Sequence, residues 1–480
     1  MQDSIQEKIK NNELKVAPIM TALLIGGFIG LFSETALNMT MNDLIKEFAI
    51  SASTAQWLTT GYLLVLGIII PVSGLLIKRV PTRNLFITSM SFSILGVLIA
   101  AISPSFAILL TGRIIQAIGT GLLVPLLFHT VLILFPPWKR GTAMGLVGLV
   151  MMFAPAIGPI SAGLIIDYYN WHMIFWLITP ILVFALIFGM IYLPNLSAVQ
   201  KQKIDAYSII LSTIGFGGIV FGFSYAGESE GWLSPIVMAS FAAGLIALVL
   251  YAFRQRSIKE PMLHLEVFKH PMFTLGIIVT LFANLIIFSS NILLPLFMQA
   301  GLGLSASKAG LLLLPGGIFN GIMSMVSGRV FDRYGPRGLV IGGFSMSIVA
   351  TLFFATISST TSFYLIILFF MLLMMSMSMV TTPSQTNGIN SLQLNRYPDG
   401  TAIVNSTIQT SGAIGTAIGI TILNTSQNAF LRTISDPITA AHQAEAVISG
   451  VQNAFLFSTI VSIFGFLCSL FIKRVKVYNG

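Results

Sequence analysis

Apolar positions in this chain come in runs of about 20 residues or more, separated by short polar breaks. The runs show neither the strict alternation of a half-buried strand nor the one-sided stripe of a helix on a soluble core. Their length suits helices that cross the hydrocarbon of a bilayer. Fourteen such spans are read, near 17–40, 54–77, 84–103, 106–134, 141–166, 171–193, 207–226, 235–254, 273–300, 307–328, 338–357, 362–384, 401–424 and 452–472. The expected fold class is an all-α membrane protein with both termini on the same side.

Composition supports that solvent. A chain of 480 residues that is 55% hydrophobic and 9% charged, with a mean hydropathy of +0.90, cannot cover itself with polar surface as a soluble globule must. A net charge of +9 would suit a nucleic-acid binder if Lys and Arg shared a solvated face, but long apolar runs separate them. With cytoplasmic termini, all 25 Lys and Arg fall in cytoplasmic segments except Lys46, Lys308 and Arg432 outside and Arg113 within a span. That is the positive-inside pattern, and it accounts for the net charge. Basic clusters, Lys78 included, therefore read first as topology determinants. A lone Cys468 excludes disulfide stapling and a Cys-rich metal site. The polar first 16 residues, followed by a spanning run without an A-x-A site, read as leading into a retained helix rather than a signal peptide.

One motif occurs twice. "GRVFDRYGPR", Gly328 to Arg337, is complete, whereas "GLLIKRVPTR", Gly74 to Arg83, has Lys78 in place of the acid and Pro81 in place of the second glycine. Both fall in short cytoplasmic loops, eight spans apart. Two six-helix repeats in parallel would place them six apart, so spans 7 and 8 read as an insertion. The chain then divides into a six-helix bundle at 1–194, linkers with two inserted helices at 195–270, and a second six-helix bundle at 271–480. The stretch "EPMLHLEVFKHPMF" suits either a short interfacial helix carrying Leu263, Leu265, Val267 and Phe268 or a plain linker. Gly328, Asp332, Arg333, Gly335 and Arg337 make up the complete copy.

Only two acidic or basic residues lie deep in spans, Glu34 and Arg113. Charges there cost roughly 2.5–3.5 kcal/mol even on lenient insertion scales and usually face a transport path. Counting 1.5 Å per residue puts Glu34 about 9 Å and Arg113 about 10 Å from the outer surface, so the two could pair. Two roles for Glu34 stand side by side, a proton carrier or a permanent anchor for Arg113. Gln116 and Thr120 share the face of Arg113. With Asn38, Asn284, Asn291 and Gln409 they are neutral groups suited to lining a substrate cavity or to tying helices together. Glycine pairs such as Gly141/Gly145 and Gly415/Gly419 allow close helix approach, and Pro155 with Pro159 should bend span 5. No phosphate loop, H-E-x-x-H or G-x-S-x-G element is present. The chain reads as no enzyme, without cofactor or metal, and driven by a gradient.

Several further stretches carry a resemblance. "GRIIQAIGTGLLVP" matches R-x-x-Q-x-x-G-x-G…P through Arg113, Gln116, Gly119, Gly121 and Pro125. "GLVGLVMMFAPAIGPISAG" has Gly145, Gly158, Pro159 and Gly163 in register with an antiporter signature, with Ala154 and Ala162 where Gly is usual. "NWHMIFWLITP" is similar to W-R-W-I-F, with His172 for Arg. With the paired loops, these resemble the fourteen-helix drug:proton antiporters of the major facilitator superfamily (EmrB/QacA type, including lincomycin-resistance-like pumps). The resemblance implies a major facilitator fold and export of amphipathic, drug-like small molecules across the cytoplasmic membrane in exchange for protons. It also implies alternating access between two bundles, with membrane lipids around a monomer and no nucleic acid as partner. The resemblance makes the paired loops a cytoplasmic gate, with Asp332, Gly328, Gly335, Arg333 and Arg337 closing it through a helix terminus and ion pairs. Lys78 cannot act in that way, so Asp332→Asn is expected to damage transport far more than Lys78→Ala. The family's first span reads L-D-x-T-x-x-N. Aligning Thr35 and Asn38 puts Ser33 at the Asp position and Glu34 one residue later, about 100° around the helix. Export of a cell-made lipid or metabolite is an alternative, and a non-transporting scaffold or sensor would need neither Glu34 nor the gate.

Overall fold

The computed structural model describes residues 14–50, 52–196, 205–228, 232–258, 260–434 and 439–475. Long helices dominate, and no strand occurs among the described residues. In chain order they are α1 Val16–Ala36, α2 Ala52–Arg79, α3 Thr82–Ala101, α4 Phe106–Leu134, α5 Arg140–Tyr168, α6 His172–Tyr192, α7 Ala206–Glu228, α8 Pro235–Ser257, α9 Pro271–Leu296, α10 Ala306–Tyr334, α11 Arg337–Phe354, α12 Phe363–Asn390, α13 Tyr397–Arg432 and α14 Ala440–Ser469. Among the described residues, 12 stretches are long and apolar enough to cross a membrane; α5 and α13, both read from the sequence as spans, are not among them. Helix is the expected form, because a backbone without water must satisfy its N–H and C=O groups internally.

α13 is polar because of a ladder of short side chains, and these turn inward on their own helix. Asn405, Ser406, Thr407 and Thr416 donate to the carbonyls four residues back at 2.8–2.9 Å. Such groups need no water and no partner helix, so a polar sequence can sit inside a bundle.

Two hydrophobic cores form, one from residues between Ile19 and Leu196, the other from residues between Val279 and Ile472. Between them, α5 packs along α10 and α2 along α13, so the halves meet at two equivalent seams. Close approach is a glycine effect at α5–α10. Gly141 faces the Gly328 carbonyl and Gly145 the Ser324 carbonyl, leaving no room for a Cβ. Further along α5, Gly158 lies against Phe32, Thr35 and Ala36 of α1. Gly163, expected to belong to the same packing motif, has open space around it instead. Gly415 and Gly419 pack α13 onto Leu285 and Ser289 of α9. Pro155 lies within an unbroken α5; the side chain of Pro159 lies outside the described ones.

α7 and α8 pack as a hairpin, and α7 lies against both α2 and α13. At one end Trp232 Nε1 donates to Thr421 of α13 at 2.6 Å. At the other, Arg254 of α8 grips Asp205, just ahead of α7, through Nε–Oδ2 at 2.7 Å and Nη2–Oδ1 at 2.9 Å. Those hydrogen bonds hold the Asp205 carboxyl down at about 2. The sign follows: a depressed folded value stabilises the hairpin above the ordinary carboxylate range near 4 and is lost as pH falls toward 2. Asp205→Asn is therefore expected to flatten the acid limb of thermal stability against pH in detergent, and an unchanged limb would show the pair to be idle.

The connector after α8 does not lie as an interfacial helix. It makes only the 3₁₀ turn Leu265–Lys269, and Leu263 and Val267 are buried in a third core with Leu75, Tyr251, Phe273 and Tyr397. That core joins both halves, the hairpin and the connector at the end of the bundle where the basic residues gather.

Candidate functional site

Arg113 of α4 is fully buried at the centre of the first half. Its Nη1 donates to Gln116 Oε1 at 2.7 Å and to Ser33 Oγ of α1 at 3.0 Å, and its guanidinium lies 4.2 Å from the Tyr62 ring centroid of α2. The Tyr62 hydroxyl donates to Thr120 at 2.8 Å and to the Gly30 carbonyl at 3.1 Å. Helical spacing explains the cluster: Arg113, Gln116 and Thr120 share one face of α4, and Gly30 lets α1 press against Thr120. A cation–π contact suits a desolvated guanidinium.

The expected Arg113–Glu34 ion pair is absent among the described residues. Ser33 occupies the place beside Arg113, because Glu34 sits one residue further around α1. Glu34 Oε2, together with Nε and Nη2 of Arg113 and Nε2 of Gln116, is buried without a hydrogen-bond partner. Buried polar atoms left without partners are costly.

Of the residues expected to line a cavity, Gln116 and Thr120 belong to the Arg113 cluster, with Thr120 Oγ1 donating to the Gln116 carbonyl at 3.3 Å. Asn284 is buried and donates to Thr280 of its own helix at 2.8 Å. Asn291 is exposed and Gln409 half-buried, and the side chain of Asn38 lies outside the described ones. Nor is any group of His, Cys, Asp and Glu among the described residues arranged to hold a metal.

At the basic end each seam is fastened. On α5–α10, Asp332 accepts from Gly141 N at 2.8 Å, from Thr142 N at 2.8 Å and from Thr142 Oγ1 at 2.7 Å. The helix terminus involved is that of α5, across the seam, rather than α11, which follows Asp332 in the chain. The expected ion pairs with Arg333 and Arg337 do not form, since both side chains point to solvent. Arg474 caps the end of α10 instead, donating to the Asp332 and Arg333 carbonyls at 2.9 and 3.2 Å. Gly335 turns the chain out of α10 at φ +85°, a conformation that glycine alone adopts readily.

On α2–α13, Lys78 is no solvated topology marker. It is buried, and its Nζ lies 2.5 Å from Asp399 Oδ1 in the first turn of α13. His264 of the connector completes the group, with Nδ1 3.2 Å from both Asp399 Oδ2 and Lys78 Nζ and its backbone N donating to Asp399 Oδ1 at 3.3 Å. Arg140, also buried, bridges the halves from the start of α5 to Asn390 Oδ1 at 2.9 Å and the Tyr397 hydroxyl at 2.6 Å. Of these, the sequence reading had missed Tyr62, Asp399, His264, Arg140 and Tyr397. A signal for Asp399 existed: "RGTA" at 140–143 and "DGTA" at 399–402 repeat at the same eight-helix offset as the paired motif.

Comparison with known proteins bears on this arrangement. The Major Facilitator Superfamily model matches residues 23–419. Lincomycin resistance protein LmrB of Bacillus subtilis (strain 168) is 54% identical over 97% of this chain and 98% of its own length. Its namesake in Listeria monocytogenes serovar 1/2a is 53% identical over 98% of this chain and 100% of its own length. Among solved structures, the human organic anion transporter MFSD10 (TETRAN) superposes with a TM-score of 0.63 at 13% identity, covering 94% of this chain and 99% of its own. Two apolar halves meeting at paired seams, repeated motifs at each seam and a family match across most of the length lead to one conclusion: the chain belongs to the major facilitator superfamily and is a multi-pass membrane transporter.

Proposed function

We propose that this transporter exports amphipathic, drug-like compounds across the cytoplasmic membrane in exchange for protons. In this reading all of α1–α14 cross the membrane, as two six-helix bundles at 1–194 and 271–480 with the α7–α8 hairpin inserted between them. Both termini and the basic end face the cytoplasm. The fastened seams close the cytoplasmic side, and rocking of the bundles would release them and open it. The relatives named for lincomycin resistance support a drug as cargo and make lincomycin the first compound to try.

The observation that supports proton coupling is the set of buried, unpartnered atoms on Glu34 and Arg113. A carboxylate that lacks partners in one arrangement and meets a guanidinium in another changes its proton affinity through the cycle, as coupling requires. Gln116, Thr120 and Tyr62 would hold Arg113 in place meanwhile. Glycines Gly145 and Gly158 give α5 close contact with α10 at one end and α1 at the other, so this helix can transmit the movement.

A resistance and dye-efflux panel in an efflux-deficient host tests the reading. Expression should raise tolerance several-fold for some amphipathic drugs, and a protonophore should abolish the effect. Flat results across chemically varied compounds would overturn drug export.

A further inference from the structure

We propose that Lys78, Asp399 and His264 form a second cytoplasmic lock, a charge-inverted counterpart of the Asp332 lock, in which His264 makes the connector a positioning part of the gate. The proposal rests on the alternating-access reading above. Its first support is a double exchange in the two repeats. Lys78 stands where the other copy has Asp332, and Asp399, in "DGTA", stands where the other copy has Arg140, in "RGTA". Each exchange alone would leave a like-charged or unpaired contact. Together they set a base on α2 against an acid at the start of α13, whereas in the other copy Arg140 turns to Asn390 and Tyr397 and leaves Asp332 to the α5 terminus.

The geometry matches. Asp332 reaches the first turn of α5, and Lys78 reaches the first turn of α13. The side chains of Lys78 and Asp399 are 3% and 0% exposed, so their charges have left water and depend on each other. Gly74, one turn before Lys78, packs against Ala402, the Pro398 carbonyl and Leu263 of the connector, so the three segments meet with little slack.

The two locks differ in kind. Asp332 is satisfied by neutral donors and a helix terminus and requires no cation. Asp399 faces a buried ammonium and a histidine, so this seam opens only if both charges are rehydrated or handed to other partners. The charged lock also lies where the hairpin packs on α2 and α13, and His264 belongs to the chain that leaves that hairpin. Separation of α2 from α13 must therefore break the His264 contacts or carry the connector along.

The test uses the full-length protein in a Cys468→Ser background with Ser406→Cys, a buried position on α13 about two turns inside the lock. The rate at which a membrane-impermeant maleimide labels this cysteine is measured in inside-out vesicles, next to drug export. Lys78→Asp or Asp399→Lys alone should raise labelling about tenfold or more and abolish export. The double reversal should return labelling to near the unreversed rate and restore export. His264→Ala should raise labelling several-fold, and His264→Asn, whose amide offers both a donor and an acceptor near the Nδ1 position, should reverse that rise.

Single reversals that label like the parent, or a double that labels like the singles, overturn the lock. His264→Ala that labels like the parent overturns the connector's part, and this pair of variants serves even where a charge reversal prevents folding. Labelling needs neither drug nor proton. The expected labelling pattern without export in any variant, parent included, would sink drug export and leave the lock standing.

Discussion

Drug export should fall by tenfold or more in Asp332→Asn, with protein yield unchanged. The carboxylate accepts two backbone N–H groups and one hydroxyl at the start of α5. An amide of the same shape keeps one acceptor, turns an NH₂ toward Thr142 and loses the charge that suits a helix N-terminus. An unmet buried donor costs about 1–3 kcal/mol, or roughly tenfold to a hundredfold in the closed population. Export assays with cysteine labelling of the cytoplasmic cavity measure both effects. The structure also changes the expectation for Lys78→Ala. That substitution strands the buried Asp399 carboxylate, and breaking a buried pair costs about 3–5 kcal/mol, so it should be at least as damaging as Asp332→Asn. A harmless Lys78→Ala beside a crippled Asp332→Asn would restore the reading of Lys78 as mere topology charge.

The larger effect is expected at Glu34. Glu34→Gln keeps the size of the side chain and removes its titration, so pH-driven drug accumulation should drop to background. Drug exchange at equal pH on both sides should persist, because the Arg113 cluster does not use Glu34 as a ligand: Ser33, Gln116 and the Tyr62 ring hold the guanidinium. Misfolding of Glu34→Gln would instead favour the anchor role.

Most helices were legible, because about 20 apolar residues in a row permit little else in lipid. The eight-helix offset singled out α7 and α8, which pack on each other, with α7 also against α2 and α13. α13 was found in spite of its polarity, though its Ser, Thr and Asn residues, readable as cavity lining, spend their hydrogen bonds on their own backbone. Side-chain partners were harder. Glu34 and Arg113 have similar depth along their helices, yet depth says nothing of azimuth, and a single residue turned Glu34 away and left Ser33 at the contact. Lys78 looked like a topology charge because it lies among Arg79 and Arg83; only the partner segment eight helices from α5 shows why it is buried. Tyr62 sits in an apolar run with no local mark, and only the packing of α1, α2 and α4 discloses it.

Proton-driven export is tested most directly in proteoliposomes loaded at acid pH and diluted into neutral buffer containing a drug that the resistance panel identifies. Outward proton flow should drive the drug into the lumen against its gradient, collapse on adding a protonophore and be absent in Glu34→Gln. Equal uptake with and without the pH gradient would contradict coupling between drug and proton.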